Sequence, residues 1–208
     1  MKHICIVGTG GFAREVCVIL EVTGRKSEIA AFLEPDVIWE EKWKDKSLRG
    51  IPVLPISSAS PAHHKVLIGI ADPNIRKQSV LQLPSEMEYL TLIHPAAHIT
   101  EGLKLGDGSI VTAGCFVSCE VQIGVHAQLN WNTTIGHDAI IGDFFTTAPA
   151  VNVGGNCHIG DQVYMGTGVA IKQGIQICND VKFGMGAVAV RDIRESGTYV
   201  GIPAIKIK

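Results

Sequence analysis

No cluster of lysine and arginine marks this 208-residue chain. Eighteen basic residues stand against twenty acidic ones, a formal charge of -2, and none gather into a face of the kind that grips nucleic acid. No nucleic acid partner is expected. Long apolar runs are missing too. The run from Ile4 to Val7 is halted by Gly8, too short for a signal peptide or a membrane span. The expectation is a cytoplasmic protein without membrane insertion. No CxxC occurs. Cys5, Cys17, Cys115, Cys119, Cys157 and Cys178 stand apart, most at positions of an apolar pattern where a thiol serves as a small hydrophobe. They read as reduced and structural. Charged residues make up only 18% against 46% hydrophobic, a balance that builds a core and excludes a disordered chain.

Glycine, in contrast, is plentiful, and most of the 23 lie beyond residue 100. That shift divides the chain into two architectures. In the second part a six-residue step runs Ile93, Ile99, Leu105, Val111, Val117, Ile123, Leu129, Ile135, Ile141, Thr147, Val153, Ile159, Met165, Ile171, Ile177, Phe183, Ala189. All but Thr147 and Ala189 are large and apolar, and no insertion resets the phase. Glycine often follows, as at Gly106, Gly124, Gly136, Gly142, Gly160 and Gly184. A period of six fits neither helix nor meander. It fits a short strand and a corner, three of which close a triangular coil of about eighteen residues. The step residue points into the prism, and the glycine begins the corner, where a missing side chain permits tight turning. Positions two before each step, such as Cys115, Ala127, Thr133, Ala139, Val151 and Val163, are small or β-branched, as a narrow core requires. The expected architecture is a parallel β-helix of five to six coils.

The first part reads as a small α/β unit. Strand Ile4 to Val7 leads through Gly8, Gly10 and Gly11 into a helix from Phe12. Gly8-Thr9-Gly10-Gly11-Phe12-Ala13 matches GxGxxA, and an acid follows a second strand (Ile29 to Leu33) at Glu34 or Asp36. Backbone amides at such a loop and helix N-terminus suit a phosphate; the alternative is a plain tight turn. A polar loop holding Trp39 and Trp43, a strand from Lys65 to Ile70 and a helix opened by Asp72-Pro73 complete the unit. About eighty residues are too few for a two-half dinucleotide fold, so the unit suits one nucleotide, as in a nucleotide-sugar.

The order of parts carries a resemblance. A glycine-loop unit, then LIHPAAHI (Leu92 to Ile99), then hexapeptides with the phrase GHD (Gly136 to Asp138), then Gly201-Ile202-Pro203-Ala204, resembles the hexapeptide-repeat sugar acetyltransferases. The subgroup is that of sialic acid O-acetyltransferase and the bacterial aminosugar-nucleotide N-acetyltransferases. The resemblance spans essentially the whole chain, with Ala71 departing from a glycine of the subgroup's IGxxxxR phrase. It implies an α/β nucleotide-sugar-binding domain over 1–85, followed by a left-handed β-helix over 86–208. It also implies a homotrimer with acetyl-CoA between neighbouring prisms. The implied reaction is N-acetylation of a nucleotide-linked amino-deoxy sugar for surface glycan synthesis, with O-acetylation of sialic acid as the alternative.

Site residues follow. His137, two after the inward Ile135, falls on a corner, and imidazole suits proton transfer near neutral pH. The resemblance makes His137 the general base. Asp138 is either its orienting carboxylate or a turn residue bonded to its own backbone. By spacing, Asn130 matches a family asparagine contributed by an adjacent subunit, and Gly155 matches a glycine whose N–H faces the thioester carbonyl. Thr146 stands where many relatives carry a second histidine. Cofactor contacts are expected from Thr146, Gly155, Gly166, Gly184, Gly186 and Lys172, and nucleotide contacts from Gly8, Gly10, Gly11, Glu34 and Asp36. Lys182 and Arg191 are further candidates for coenzyme A phosphates. No cysteine is expected beside the GHD phrase in register, which argues for direct attack without an acyl-enzyme. His98, His126 and His158 are placed on prism turns, and the spacing of His158 and His137 gives no zinc site.

Overall fold

A computed structural model describes residues 2–208. It divides into two compact units between Thr91 and Leu92.

In the first unit β1 (His3–Val7) runs into α1 (Gly11–Val22). There follow β2 (Ile29–Glu34), a short helix α2 (Asp36–Ile38) continued by a π turn over Trp39–Trp43, β3 (Ser47–Leu48) and β4 (Ile51–Pro55). The unit closes with β5 (His64–Ile68), α3 (Pro73–Leu81) and β6 (Glu88–Tyr89). The sheet order is β3-β4-β2-β1-β5-β6, parallel throughout except for β3 with β4. Strand β1 is central and buried from Ile4 to Val7, the continuous apolar run expected of a strand covered on both faces. The Trp39 region is therefore helical, not a loop. Its indole Nε1 donates to the Val53 carbonyl at 2.8 Å, which fixes the turn to β4. Asp72 caps α3, its carboxylate accepting from the Asn74 and Ile75 N–H groups, with Pro73 at the first helical position. Helix α1 has no side-chain cap at Gly10.

In the second unit strands of two residues, three at Val181–Phe183, recur every six residues from Leu92–Ile93 to Val188–Ala189. Each pairs in parallel with the strand eighteen positions away, as Thr134 pairs with Phe116 and Asn152. Three sheets result, giving five full coils and part of a sixth: a parallel β-helix. From Val111 to Ala189 every step residue is buried, as are the partners two before, including Cys115, Ala127, Thr133, Ala139 and Val151. Each buried aliphatic side chain contributes about 1.5–3 kcal/mol, and the ladder repeats that contribution at every corner. At the first step the pattern inverts, with Leu92 buried and Ile93 exposed. At the last, Ile177 bridges Ile193, two residues short of a full coil. The chain ends in Gly197–Val200 and the antiparallel Ile205–Lys206, joined through a cis Ile202–Pro203 peptide.

The corners revise the role given to glycine. Left-handed backbone occurs three residues after each inward side chain: Glu120, His126, Asn132, Asp138, Phe144, Ala150, Asn156, Gln162 and Asp180, with glycine at 102, 108, 114, 168, 174 and 186. The glycines directly after the inward residue are not among them. They are needed because coils stack closely. A Cβ on Gly142 would collide with Oδ1 of Asp161, and one on Gly136 with the Gly155 backbone nitrogen. Stacking, not turning, selects glycine there.

Candidate active site

Corners stack into three edges along the prism, and their repeated bonds fix the register. On one edge the Cys119 carbonyl accepts from Asp138 N–H, that of His137 from Asn156 and that of Gly155 from Gly174, at 3.1, 2.8 and 2.9 Å. Counting by eighteen, the edge runs Glu101, Cys119, His137, Gly155, Gln173, and Arg191 follows Ala189 as Gln173 follows Ile171. Lys172 adjoins Gln173 and is exposed.

His137 and Asp138 are both more than half exposed, and His137 Nδ1 lies 2.7 Å from Asp138 Oδ2. The left-handed φ of 57° at Asp138 turns its carboxylate back to the preceding ring. A carboxylate only accepts, so the neutral imidazole bears its proton on Nδ1 and leaves Nε2 basic. Nε2 faces Gly155: a Cβ built there would fall 2.8 Å from it and 2.9 Å from Cε1. A cleft of about 200 Å³ is lined by His137, Gly155, Asn156, Gln173 and Gly174.

Another edge differs from this one in how its backbone N–H groups are met. There Asp143, Asp161 and Asn179 each reach back one coil, Oδ1 accepting from the N–H of Val125, Asp143 and Asp161 at 2.9, 2.8 and 2.9 Å. At the equivalent places on the His137 edge stand Gly155 and Gln173. Among the described residues nothing accepts the Gly155 N–H. A free backbone donor thus lies beside the base.

Asn130, Gly166, Gly184 and Gly186 belong to the third edge, between Gln128–Leu129 and Thr134–Ile135 and the strands stacked above them. Within one chain they are not brought to His137. Asn130 Oδ1 accepts from the Trp131 N–H at 2.8 Å. Trp131 and Met185 are exposed along that edge. Thr146 is buried on a strand, paired with Gln128 and Tyr164, and lines no part of the His137 cleft.

In the first unit a cleft of about 300 Å³ is lined by Gly8, Thr9, Gly10, Gly11, Phe12, Glu34, Gly69, Ile70, Ala71 and Ile75. Thr9 Oγ1 donates to Glu34 Oε1 at 2.6 Å. Gly8 has a left-handed φ of 96°, and a Cβ on Gly69 would come 2.6 Å from Ala13 Cα; these two glycines serve turning and packing. Around Gly10 and Gly11 nothing lies within 4 Å of a built Cβ, so their bare backbone opens the N-terminus of α1 to a ligand. Arg76, buried, donates to the carbonyls of Ile70 and Ala71 at 2.8 and 3.0 Å and so fixes the cleft's far lip. Burial lowers its guanidinium pKa while Asp72 opposes the shift. Asp36 sits in a separate cleft with Val37, Trp39, Glu40, Glu41, Pro55 and Ser57.

Two expectations change. Cys119 is exposed and lies in register one coil before His137; a cysteine does adjoin the GHD phrase, and only counting by eighteen reveals it. His98 and His158 sit on strands, not turns, and His98 stacks on Phe116. Gln173 also lines the His137 cleft, although glutamine at a corner carries no motif. Among the described residues no group of three or more His, Cys, Asp or Glu could hold a metal ion. No helix among them is long and apolar enough to cross a membrane.

A parallel β-helix of hexapeptides bearing a corner histidine, preceded by an α/β unit with a phosphate-sized loop, defines a hexapeptide-repeat acyltransferase. Residues 3–83 match the PglD N-terminal domain family. Over 82% of this chain and 78% of the relative, the sequence is 29% identical to GDP-perosamine N-acetyltransferase of Escherichia coli O157:H7. WeeI from Acinetobacter baumannii AYE superposes with a TM-score of 0.88 at 29% identity, covering 99% of each chain. PerB from Caulobacter crescentus, solved with CoA and GDP-perosamine, superposes at 0.84 with 25% identity, covering 99% of this chain and 97% of that one. These likenesses support a sugar acetyltransferase of the aminosugar N-acetyltransferase subgroup. It is an acyltransferase, with acetyl-CoA as co-substrate.

Proposed function

We propose that this enzyme transfers the acetyl group of acetyl-CoA to the amine of a nucleotide-linked amino-deoxy sugar destined for surface glycan. One observation carries the reading: the basic Nε2 of His137, oriented through Nδ1 by Asp138, lies beside the unengaged Gly155 N–H. The amine attacks the thioester carbonyl, and His137 Nε2 takes its proton. The carbonyl oxygen, negative in the tetrahedral intermediate, accepts from Gly155 N–H. As the C–S bond breaks, the imidazolium returns the proton to the coenzyme A sulfur. Asp138 stabilises the charged ring between these transfers.

The first unit holds the nucleotide. Its diphosphate meets the α1 N-terminus at Gly10 and Gly11, where uncapped N–H groups and the helix dipole favour anions, and Glu34 accepts from the ribose. The GDP-perosamine named for two relatives supports an acceptor of this class. In this reading residues 1–85 serve the nucleotide-sugar and 86–208 the acetyl transfer, on a β-helix that is left-handed as in the family.

Homotrimer assembly accounts for the division of the proposed residues between two edges. Asn130, Gly166, Gly184 and Gly186 on one copy's edge complete the site of His137, Gly155 and Lys172 on its neighbour's, and the exposed Trp131 and Met185 supply apolar contact. Thr146, being buried, serves acetyl-CoA only indirectly. The protein works in the cytoplasm, where both substrates are made.

Incubation with acetyl-CoA and UDP-, GDP- or dTDP-linked 4-amino sugars, followed by free thiol release, tests the reading. Turnover with an amino sugar nucleotide is expected. Turnover with sialic acid alone would replace it by O-acetylation.

A further inference from the structure

Trp131 is the one tryptophan of the second unit. Two residues after each inward side chain, its edge runs Ala113, Trp131, Pro149, Thr167, Met185. Trp131 is the sole ring in that row and is 46% exposed. Its backbone is held on both sides. The N–H donates to Asn130 Oδ1 at 2.8 Å, and the carbonyl accepts from the Ala150 N–H at 2.8 Å. The Asn130 N–H in turn donates to the buried Thr147 Oγ1 at 2.9 Å. Among the described residues nothing bonds to the indole Nε1–H or stacks on the ring. A fixed corner thus carries a half-open indole.

Height along the prism follows from the repeat. One coil of eighteen residues climbs one strand spacing, about 4.8 Å. Trp131 and His137 each stand two residues after an inward side chain, Leu129 and Ile135, on successive corners of one coil. The six residues between them span a third of that climb, about 1.6 Å. In a homotrimer whose axis runs along the prisms, rotation leaves height unchanged. Where the two edges meet, Trp131 of one copy stands level with His137 of the next. Met185 stands three coils higher and Ala113 one coil lower.

The donor decides which substrate meets the indole. Its proposed contacts, Gly155 and Lys172, lie one and two coils above His137, so the acetyl-CoA arm occupies that stretch of the seam. The acceptor must reach Nε2 from the level of His137 or below, and the large apolar surface there is Trp131. A pyranose carries C–H groups over one face, and each missing hydroxyl of a deoxy sugar widens that apolar area. Such C–H groups suit the negative face of an indole. We infer that Trp131 of one copy is the platform on which the acceptor sugar rests at the neighbouring copy's His137. The inference rests on the proposed acceptor and homotrimer, and it adds the residue that positions the sugar. An indole packed across the seam by its edge keeps a face for the sugar, so both uses of Trp131 are compatible.

The test compares Trp131→Leu, which keeps apolar bulk without a flat face, with Trp131→Phe, which keeps a face. For the amino-sugar nucleotide, kcat/KM should fall about tenfold or more in the first and stay within about threefold of wild type in the second. KM for acetyl-CoA and the sedimentation of both variants should match wild type. Coexpression of Trp131→Leu with His137→Ala probes the seam. Random assembly joins a wild-type Trp131 to a wild-type His137 across about a quarter of the seams. The mixed protein should therefore regain about a quarter of wild-type kcat/KM, whereas a contact within one chain gives no recovery. Binding supplies a separate reading. The amino-sugar nucleotide should change the fluorescence of the wild type more than its bare nucleoside diphosphate does, and Trp131→Phe should lose that excess.

Undiminished kcat/KM in Trp131→Leu overturns the platform, as does a matching rise in KM for acetyl-CoA or a failure to recover on coexpression. Altered sedimentation of Trp131→Leu would assign the residue to assembly instead. Each of these leaves the acetyltransferase reading standing. No turnover of any amino-sugar nucleotide by the wild type would remove the proposed acceptor, and the fluorescence excess alone would then decide the platform.

Discussion

The imidazole of His137 lies against the α-carbon of Gly155, one coil above it, at a spacing that admits no side chain. The backbone of Gly155 is not left-handed, so alanine there meets no conformational strain. Its Cβ would displace the ring, not the fold. Gly155→Ala should lower kcat by about 10²-fold or more with the melting temperature shifted by only a few degrees. Steady-state kinetics beside a thermal melt checks this. A large loss of stability with kcat retained would show that the glycine serves only the stack.

Removing the base is the companion experiment. His137→Ala should reduce kcat by roughly 10²–10⁴-fold with coenzyme A still bound. Asp138→Asn keeps the turn, since asparagine tolerates left-handed backbone. Its amide can donate to Nδ1 and so favour the wrong tautomer. A kcat loss with unchanged KM for both substrates is expected. Unaltered turnover in either variant would remove the pair from the chemistry.

How much of this was legible beforehand follows from what each pattern encodes. The β-helix was readable because one inward residue per corner is enough to mark a period of six, from Val111 to Ala189 without a break. The GHD corner and the glycine loop were readable because residue types recur there at fixed spacing. The eighteen-residue register was implied by that same period. Cys119 beneath His137, Gln173 above it, and the assignment of Asn130 and Gly166 to a different edge all follow from it. What no period could supply was the helical turn at Trp39, which depends on an indole reaching Val53 across the chain. Nor could it separate Glu34 from Asp36, two residues apart yet lining different clefts.

Cys119 gives a chemical handle on the edge. It is the exposed thiol among six cysteines, and Cys178 is half-buried. Burial raises the thiol pKa of Cys17, Cys115 and Cys157, and pushes Cys5 up to about 11. These buried thiols stay protonated and shielded at pH 8. Iodoacetamide on the native protein should alkylate Cys119 well before the others, read by peptide mass spectrometry. Turnover should fall with the extent of labelling, and Cys119→Ser should retain activity while escaping inactivation. Loss of turnover in Cys119→Ser would reopen an acyl-enzyme route.

The Asp143–Asp161–Asn179 ladder predicts a stability effect apart from catalysis. Asp161→Ala deletes the acceptor for the Asp143 N–H and leaves that donor to solvent. The cost is about 1 kcal/mol, or a drop of about 2–4 °C in melting temperature for a domain of this size. kcat should be unchanged. Gly142→Ala should cost more than Asp161→Ala, because its Cβ would overlap the Asp161 carboxylate itself. An equal effect of the two would mean that the coils separate easily and that the ladder is incidental.

Arg191 stands three coils beyond His137 on one edge, about 14 Å away at the spacing of neighbouring strands, with Lys172 and Gln173 on the coil between Gly155 and itself. It lines a cleft of about 350 Å³ with Arg194, Lys206 and Tyr199. Arg194 and Lys206 are paired with Asp192 and Glu195, whereas none of the ion pairs found among the described residues uses Arg191. A thioester at His137 with its pantetheine arm laid along the edge would deliver its phosphates to this end. Arg191→Gln should therefore raise KM for acetyl-CoA about five- to tenfold, with kcat and the KM for the sugar nucleotide little changed. The effect should shrink in high salt, since an exposed charge pair is screened there. A KM that ignores both the substitution and the salt would place the phosphates elsewhere and leave the His137 chemistry untouched.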